Sequence, residues 1–337
     1  MIRVYYDSGT TNTRIYLLKK QEVLDQIFLE VGTRDSAISG DRGVLLKKLK
    51  EGYDDILRRN SLKDGDIHEI YLSGMITNPF GIIEVPHLET PIYKESLYEH
   101  VYVHQEESFF HRPLKLIPGA KTRSPKEGLH LGNVQLMGNT RGEEIEVMGL
   151  LRLGYLNEDK VQVMISPGSH THMMLIRSGA IEDISSHFTG ELHHAIMKET
   201  ILGGETAKKT KEYQKELVIR GYDLLEKEGI SRALYVVHST KVFGLSSDEE
   251  RHMLLTGVIG GSPILHLKEK MKKEWKDVEE IIIIGDAGYM SAYKMIIEEV
   301  LPDTMVQVIS PPEQSSFALE GFKNLMTTLM TTDERGL

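Results

Sequence analysis

The stretch Val4-Tyr5-Tyr6-Asp7-Ser8-Gly9-Thr10-Thr11-Asn12-Thr13-Arg14-Ile15-Tyr16-Leu17-Leu18 decides how this chain is read. Ile2, Val4 and Tyr6 share one face of a period-two alternation. A second run at 13–18 and a third at 23–31 follow, broken by SGTTN and KKQE, so the chain opens with three short strands. The small residues of the first turn let backbone N–H groups approach an anion. Asp7, at the strand end, is placed to hold a magnesium ion through water. The plainer alternative is a hairpin in which Gly9 and Asn12 serve only the backbone. The same order restarts at 161–166, 170–177 and 180–185, parted by PGS and SG. Pro167-Gly168-Ser169-His170-Thr171 then occupies the equivalent first hairpin, and two such turns weigh more than either alone.

After its strands the first half reads as a helix at 44–57, apolar runs at 67–72 and 114–117, and a helix at 142–153. The second half continues with helical segments at 190–201, at 205–227, capped by Gly229, and at 254–259. A buried strand at 280–284, a helix, a strand at 306–310 and a last helix at 313–330 complete it. This predicts an α/β protein of paired domains, 1–157 and 158–337, with the last helix a candidate to pack back on the first. Chemistry is expected in a cleft between them.

The length of 337 residues suits two domains at ~150 residues each. With 40 Lys and Arg against 50 Asp and Glu, the net charge of −10 disfavours a dedicated nucleic-acid binder. The absence of cysteine excludes a disulfide framework, a thiolate zinc site and a cysteine nucleophile. No apolar run approaches a membrane span, and the N-terminus reads as a strand instead of a signal peptide, so the expected location is the cytoplasm.

Gly285-Asp286-Ala287-Gly288 follows the buried strand and opens a helix, so its glycines permit close approach of a flat base or ribose. An Asp286 N-cap is the plain alternative. No G-x-G-x-x-G follows a strand, and Ala120-Lys121-Thr122 lacks the glycines of a Walker A loop. In Arg141-Gly142-Glu143-Glu144, an acid at a helix start is placed to take a proton from a hydroxyl attacking a phosphoryl group. Acids there also simply offset the macrodipole. Glu191, after Thr189-Gly190, carries the same two readings. Arg34 and Arg141 are candidates to clamp a carboxylate, and His170 to bind substrate or phosphate. A metal cluster of His170, His172, His193 and His194 is disfavoured, because adjacent histidines on a helix diverge and no third-ligand spacing supports it.

Taken in order, DSGTTNTR (7–14), VGTRD (31–35), SGMITNPFG (73–81) with VPHLETP after it, LIPGAKT, RGEE (141–144), SPGSHTH (166–172), FTGELHH (188–194) and LLTGVIGG (254–261) resemble the 2-dehydro-3-deoxygalactonokinases. These are sugar-acid kinases of the actin and hexokinase superfamily. The resemblance implies two actin-like, ribonuclease H-like domains, each a mixed five-stranded sheet with helices. It implies ATP and magnesium, and transfer of the γ-phosphate to the 6-hydroxyl of 2-dehydro-3-deoxy-D-galactonate or a close analogue. By the same resemblance, Asp7 with Gly9, Thr10, Thr11 and Asn12 is the first phosphate loop, and Gly168, Ser169, His170 and Thr171 form the second. Gly285, Asp286 and Gly288 address adenosine, while Arg34, Gly74, Met75, Asn78, Arg141 and His170 address the sugar acid. Glu144, ranked first, or Glu191 is the proton acceptor, with Asp7 beside the metal. The implied partners are a sugar acid and ATP, with no nucleic acid and no membrane; a homodimer is left open.

Thr171, His172 and Met173 stand where the family usually shows a small residue, Lys and Trp, and Gly138-Asn139-Thr140 stands where Asp and Met are usual. These departures bear on which sugar acid is accepted. They also keep two other readings open: a phosphohydrolase of the same superfamily using water as nucleophile, and a nucleotide-binding regulator without catalysis.

Overall fold

The computed structural model describes residues 1–203, 212–285 and 287–333. The chain divides into two compact units, the first made of Met1–Asn157, Gly179–Ile184 and Pro311–Leu337, the second of Glu158–Ser178 and Ser185–Ser310. The simple cut at 157/158 thus assigns to the second domain two segments that cluster with the first.

The first half of the chain supplies β1 (Ile2–Ser8), β2 (Thr13–Lys19), β3 (Glu22–Leu29), α1 (Thr33–Ser39), α2 (Arg42–Arg59), β4 (Glu69–Gly74), β5 (Leu88–Glu89), α3 (Lys94–Glu99), β6 (Tyr102–Glu106), β7 (Arg112–Leu116), β8 (Ala120–Lys121), β9 (Asn139–Thr140) and α4 (Glu143–Leu153). Its main sheet runs β3-β2-β1-β4-β7-β6, with β1, β4 and β7 parallel. Among the described residues it has six strands, not the expected five. The extra strand is β6, whose Tyr102 and Val103 are exposed at the sheet edge and so show no apolar alternation. One face buries Val4, Tyr6, Ile15 and Leu17 against Leu45, Leu49, Tyr53 and Ile56 of α2. β5, β8 and β9 form a small separate sheet.

The second half supplies β10 (Val161–Pro167), β11 (Thr171–Arg177), β12 (Ala180–His187), α5 (Gly190–Glu199), α6 (Lys215–Glu228), α7 (Ile230–Val242), α8 (Asp248–Lys273), β13 (Glu280–Ile284), α9 (Ala287–Val300), β14 (Met305–Ile309) and α10 (Phe317–Asp333). Its sheet, β12-β11-β10-β13-β14, repeats the first sheet's order of three antiparallel strands followed by parallel additions. Ile281 and Ile283 pack with Val163, Ile165, Tyr222 and Trp275 in its core. The part of the expected 205–227 helix before Glu212 lies outside the described residues. The helix expected at 254–259 runs far longer in both directions, from an N-cap at Ser247 whose hydroxyl accepts the Glu250 N–H.

α10 belongs to the first unit, where Phe322 stacks on Tyr5 at 4.3 Å and tilts against Tyr71 at 5.2 Å. Its approach to α4 needs bare backbone: a Cβ on Gly149 would fall 2.0 Å from the Phe317 carbonyl oxygen, and one on Gly321 1.9 Å from that of Ile145. No helix among the described residues is long and apolar enough to cross a membrane.

Candidate active site

Within the first unit, glycine-bearing segments converge on the β1–β2 turn. The Gly9 N–H donates to the Asn12 carbonyl at 2.9 Å and closes the turn. The start of α1 lies against it, with the Arg34 N–H donating to the Thr10 carbonyl at 2.9 Å. A Cβ on Gly32 would sit 2.4 Å from that carbonyl. Gly74, at φ +88°, ends β4 beside Ser8, where a Cβ would come within 2.5 Å of the Ser8 oxygen. Gly142, at φ +121°, would bring one to 3.5 Å from the Gly74 Cα. With the carbonyls engaged, the amides of Thr10, Thr11 and Asn12 have no acceptor among the described residues. Successive unpaired N–H groups on one turn make a concavity for an anion.

The second unit repeats this arrangement. The Gly168 N–H donates to the His170 carbonyl at 2.9 Å, and the Glu191 N–H, at the start of α5, to the Ser169 carbonyl at 2.9 Å. Gly190 stands to this turn as Gly32 does to the first, since a Cβ there would meet the Gly168 oxygen at 2.2 Å. Gly285, at φ +135°, takes the part of Gly74, 3.1 Å from the Pro167 oxygen by the same measure. The amides of Ser169 and His170 likewise lack acceptors among the described residues. The equivalence of Gly32 with Gly190 escapes sequence reading, although the two follow their turns at nearly the same spacing.

Carboxylates crowd the first turn. Asp7 is largely buried and pairs with Arg14 at 3.6 Å; burial pushes its carboxyl up and Arg14 partly offsets this. Glu144 is fully buried in the first turn of α4. Its Oε1 accepts the Gly142 N–H at 2.8 Å and its Oε2 the Thr140 hydroxyl at 3.0 Å. Burial, then the charge of Glu143, pushes it up to about 7. Glu146, which the sequence suggests only as a further acid offsetting the helix dipole, is raised by burial and by Glu143, Asp7 and Glu144. A carboxyl titrating near neutrality is suited to accept a proton at physiological pH.

The remaining candidates divide between surface and scaffold. Arg34 is exposed and its guanidinium has no partner among the described residues. Arg141 is instead engaged by the protein: it donates to the Thr77 hydroxyl at 2.8 Å and the Val85 carbonyl at 2.9 Å, tying down the loop after β4. Asn78 is buried, its Oδ1 accepting the Phe80 N–H at 2.7 Å, and Met75 is half-buried beside it. His170 Nε2 lies 3.8 Å from Glu191 Oε1, both exposed. Gly288 lies in the first turn of α9, while Asp286 lies outside the described residues. Of the other histidines considered for a metal, His193 packs its ring against His252 at 5.1 Å and His172 against His170 at 6.0 Å. No group of three or more His, Cys, Asp or Glu among the described residues is arranged to hold a metal ion.

Residues 7–309 match the model of a single family, described as 2-keto-3-deoxy-galactonokinase. The chain belongs to that family. Membership makes it a sugar-acid kinase, a phosphotransferase of carbohydrate metabolism. Among solved structures it is similar to a candidate 2-dehydro-3-deoxygalactonokinase from Sinorhizobium meliloti, at TM-score 0.72 and 18% identity, over 98% of this chain and 99% of that one. It is also similar to component A of the (R)-2-hydroxyglutaryl-CoA dehydratase of Acidaminococcus fermentans, at TM-score 0.50 and 14% identity, over 98% and 99% of the two chains. At these identities the likeness is one of fold. No curated protein matches the sequence significantly.

Proposed function

We propose that this family member is a cytoplasmic ATP-dependent kinase that transfers the γ-phosphate to the 6-hydroxyl of 2-dehydro-3-deoxy-D-galactonate or a close analogue. The observation that carries the reading is the repeated turn, one in each unit, each with unpaired amides at the same position against a helix start. Such amides are donors for phosphate oxygens, and they need no reorganisation when charge develops on the transferring group. Gly285, with no side chain at φ +135°, lets the chain after β13 pass close to the second turn, where the nucleoside would lie.

Asp7 suits a magnesium ion: its carboxylate is disfavoured by burial, a divalent cation would relieve that, and magnesium on a nucleotide commonly needs only one or two protein carboxylates beside the phosphates. The ion when bound supplies charge neutralisation of the phosphate oxygens. Glu144 is the proton acceptor, held in orientation by the Gly142 N–H, and the substrate hydroxyl takes the place of Thr140 Oγ1 as donor to Oε2. Arg34, unpaired and exposed, addresses the carboxylate of the sugar acid together with the 74–78 loop. His170 flanks the second turn.

The test is coupled ADP release against a panel of 2-keto-3-deoxy sugar acids with magnesium ATP. Turnover on at least one of them is expected, with sugar-independent background low. Absence of turnover on the whole panel removes the reading.

A further inference from the structure

Arg141 and His87 together carry an arrangement that the mechanism above does not use. The Arg141 Nη2 lies 3.4 Å from His87 Nδ1, in the loop that Arg141 also ties through Thr77 and Val85. A guanidinium only donates, so the nitrogen facing it must present its lone pair, and the proton of the neutral imidazole is fixed on Nε2. The ring is neutral near pH 7, because burial and the charges of Arg141 and Lys121 hold it down to about 4. Nε2 is therefore a donor, and it is buried with no hydrogen-bond partner among the described residues. Buried donors without acceptors are rare and costly, so one held in a fixed tautomer calls for an acceptor from outside the chain.

The neighbourhood is cationic and lies against the strand that leads to the candidate base. A Cβ on Gly119 would stand 3.0 Å from His87 Cδ2, beside Nε2, and 2.4 Å from the Thr140 carbonyl oxygen, so the bare backbone of this glycine lets the strand of Thr140 come close to the edge of the ring that carries the N–H. Thr140 bonds Glu144, and Arg141 directly precedes the Gly142 turn that also bonds Glu144. His87 is thus tied by short contacts to the strand and helix start that carry the candidate base. Lys121 adds a second cation nearby, itself paired with Glu89 at 3.1 Å.

We infer that His87 is a specificity-determining residue that donates its Nε2–H to a carboxylate or 2-oxo oxygen of the sugar acid. This rests on the kinase reading given above. Arg141 is the positioning residue that sets the tautomer.

The test uses the full chain, with His87→Ala and His87→Gln, whose side-chain amide offers an N–H from the same backbone position. His87→Ala is expected to raise the KM for the sugar acid tenfold or more, leaving the KM for ATP within about twofold, and His87→Gln to recover most of the loss. In imidazole 15N NMR of the wild-type chain, the Nε2–H tautomer is expected, with the Nε2 signal moving on addition of the sugar acid. An unchanged sugar-acid KM in His87→Ala, an equal rise in both KM values, no recovery in His87→Gln, or an Nδ1–H tautomer would each overturn the inference. Wild-type chain without turnover refutes the kinase reading instead; the assignment of His87 then fails only if the sugar acid also leaves the Nε2 signal unmoved.

Discussion

Replacing Glu144 by Gln should change how stability depends on pH, because the carboxyl is fully buried and titrates at about 7 against an ordinary 4.5. A folded-state value above the unfolded one means the folded chain prefers the protonated acid. The stability this contributes is complete below about pH 4.5 and is lost as pH rises through about 7. At ~1.36 kcal/mol per pH unit the full loss is about 3 kcal/mol, of which about 2.5 kcal/mol falls between pH 5 and pH 8. Gln keeps the shape, and its Oε1 still accepts the Gly142 N–H. Urea unfolding of both proteins at pH 5 and pH 8 should therefore show the variant gaining about 2.5 kcal/mol on the wild type across that interval. Asp7 leaves a residual slope in both proteins, and because the Glu144 charge also raises Glu146, the difference reads Glu144 together with its coupling to Glu146. Parallel pH curves would refute the argument. In activity, the same variant should lose on the order of a hundredfold in kcat while ADP still binds. Unchanged turnover would move the proton acceptor to Glu191 or elsewhere.

Gly190→Ala places a methyl 2.2 Å from the Gly168 oxygen and must shift the second turn. It should cost about 2–4 kcal/mol in urea unfolding and weaken ADP binding measured by calorimetry. Arg34→Ala should stay within about 0.5 kcal/mol of wild-type stability, since the side chain is exposed and unpaired, yet raise the KM for the sugar acid about tenfold or more in the coupled assay. Phe322→Ala removes the ring stacked on Tyr5 and tilted against Tyr71 and should cost about 3–5 kcal/mol, read as a lowered thermal midpoint.

Much of the architecture is visible in the alternation of 2–31 and its restart at 161–185, since strands with one or two buried faces leave a periodic trace. β6 leaves none, because an edge strand with Tyr102 and Val103 exposed has no apolar face to mark. α7 is concealed by Gly229, which at φ +73° ends α6 and immediately begins the next helix, so the stop signal is real but the break is one residue long. α8 reads as short because Gly257, Gly260, Gly261 and Pro263 interrupt its pattern. The bare glycines are there for close packing, as with Gly257, whose Cβ would fall 2.0 Å from the Val218 oxygen of α6. In the site, Gly9 and Gly168 announce their turns through local chemistry. Gly32, Gly74 and Gly190 act by tertiary approach, the partners of Arg141 come from a distant loop, and the titration of Glu144 is set by burial. None of these is written in a single stretch of sequence.

Phosphorus NMR of magnesium ATP incubated with this chain, with and without 2-dehydro-3-deoxy-D-galactonate, asks most directly where the transferred group goes. The account predicts a phosphate-ester resonance coupled to the C6 protons, growing in step with ADP and only when the sugar acid is present. Inorganic phosphate released at the same rate without the sugar acid, or ATP left intact in both samples, would contradict it.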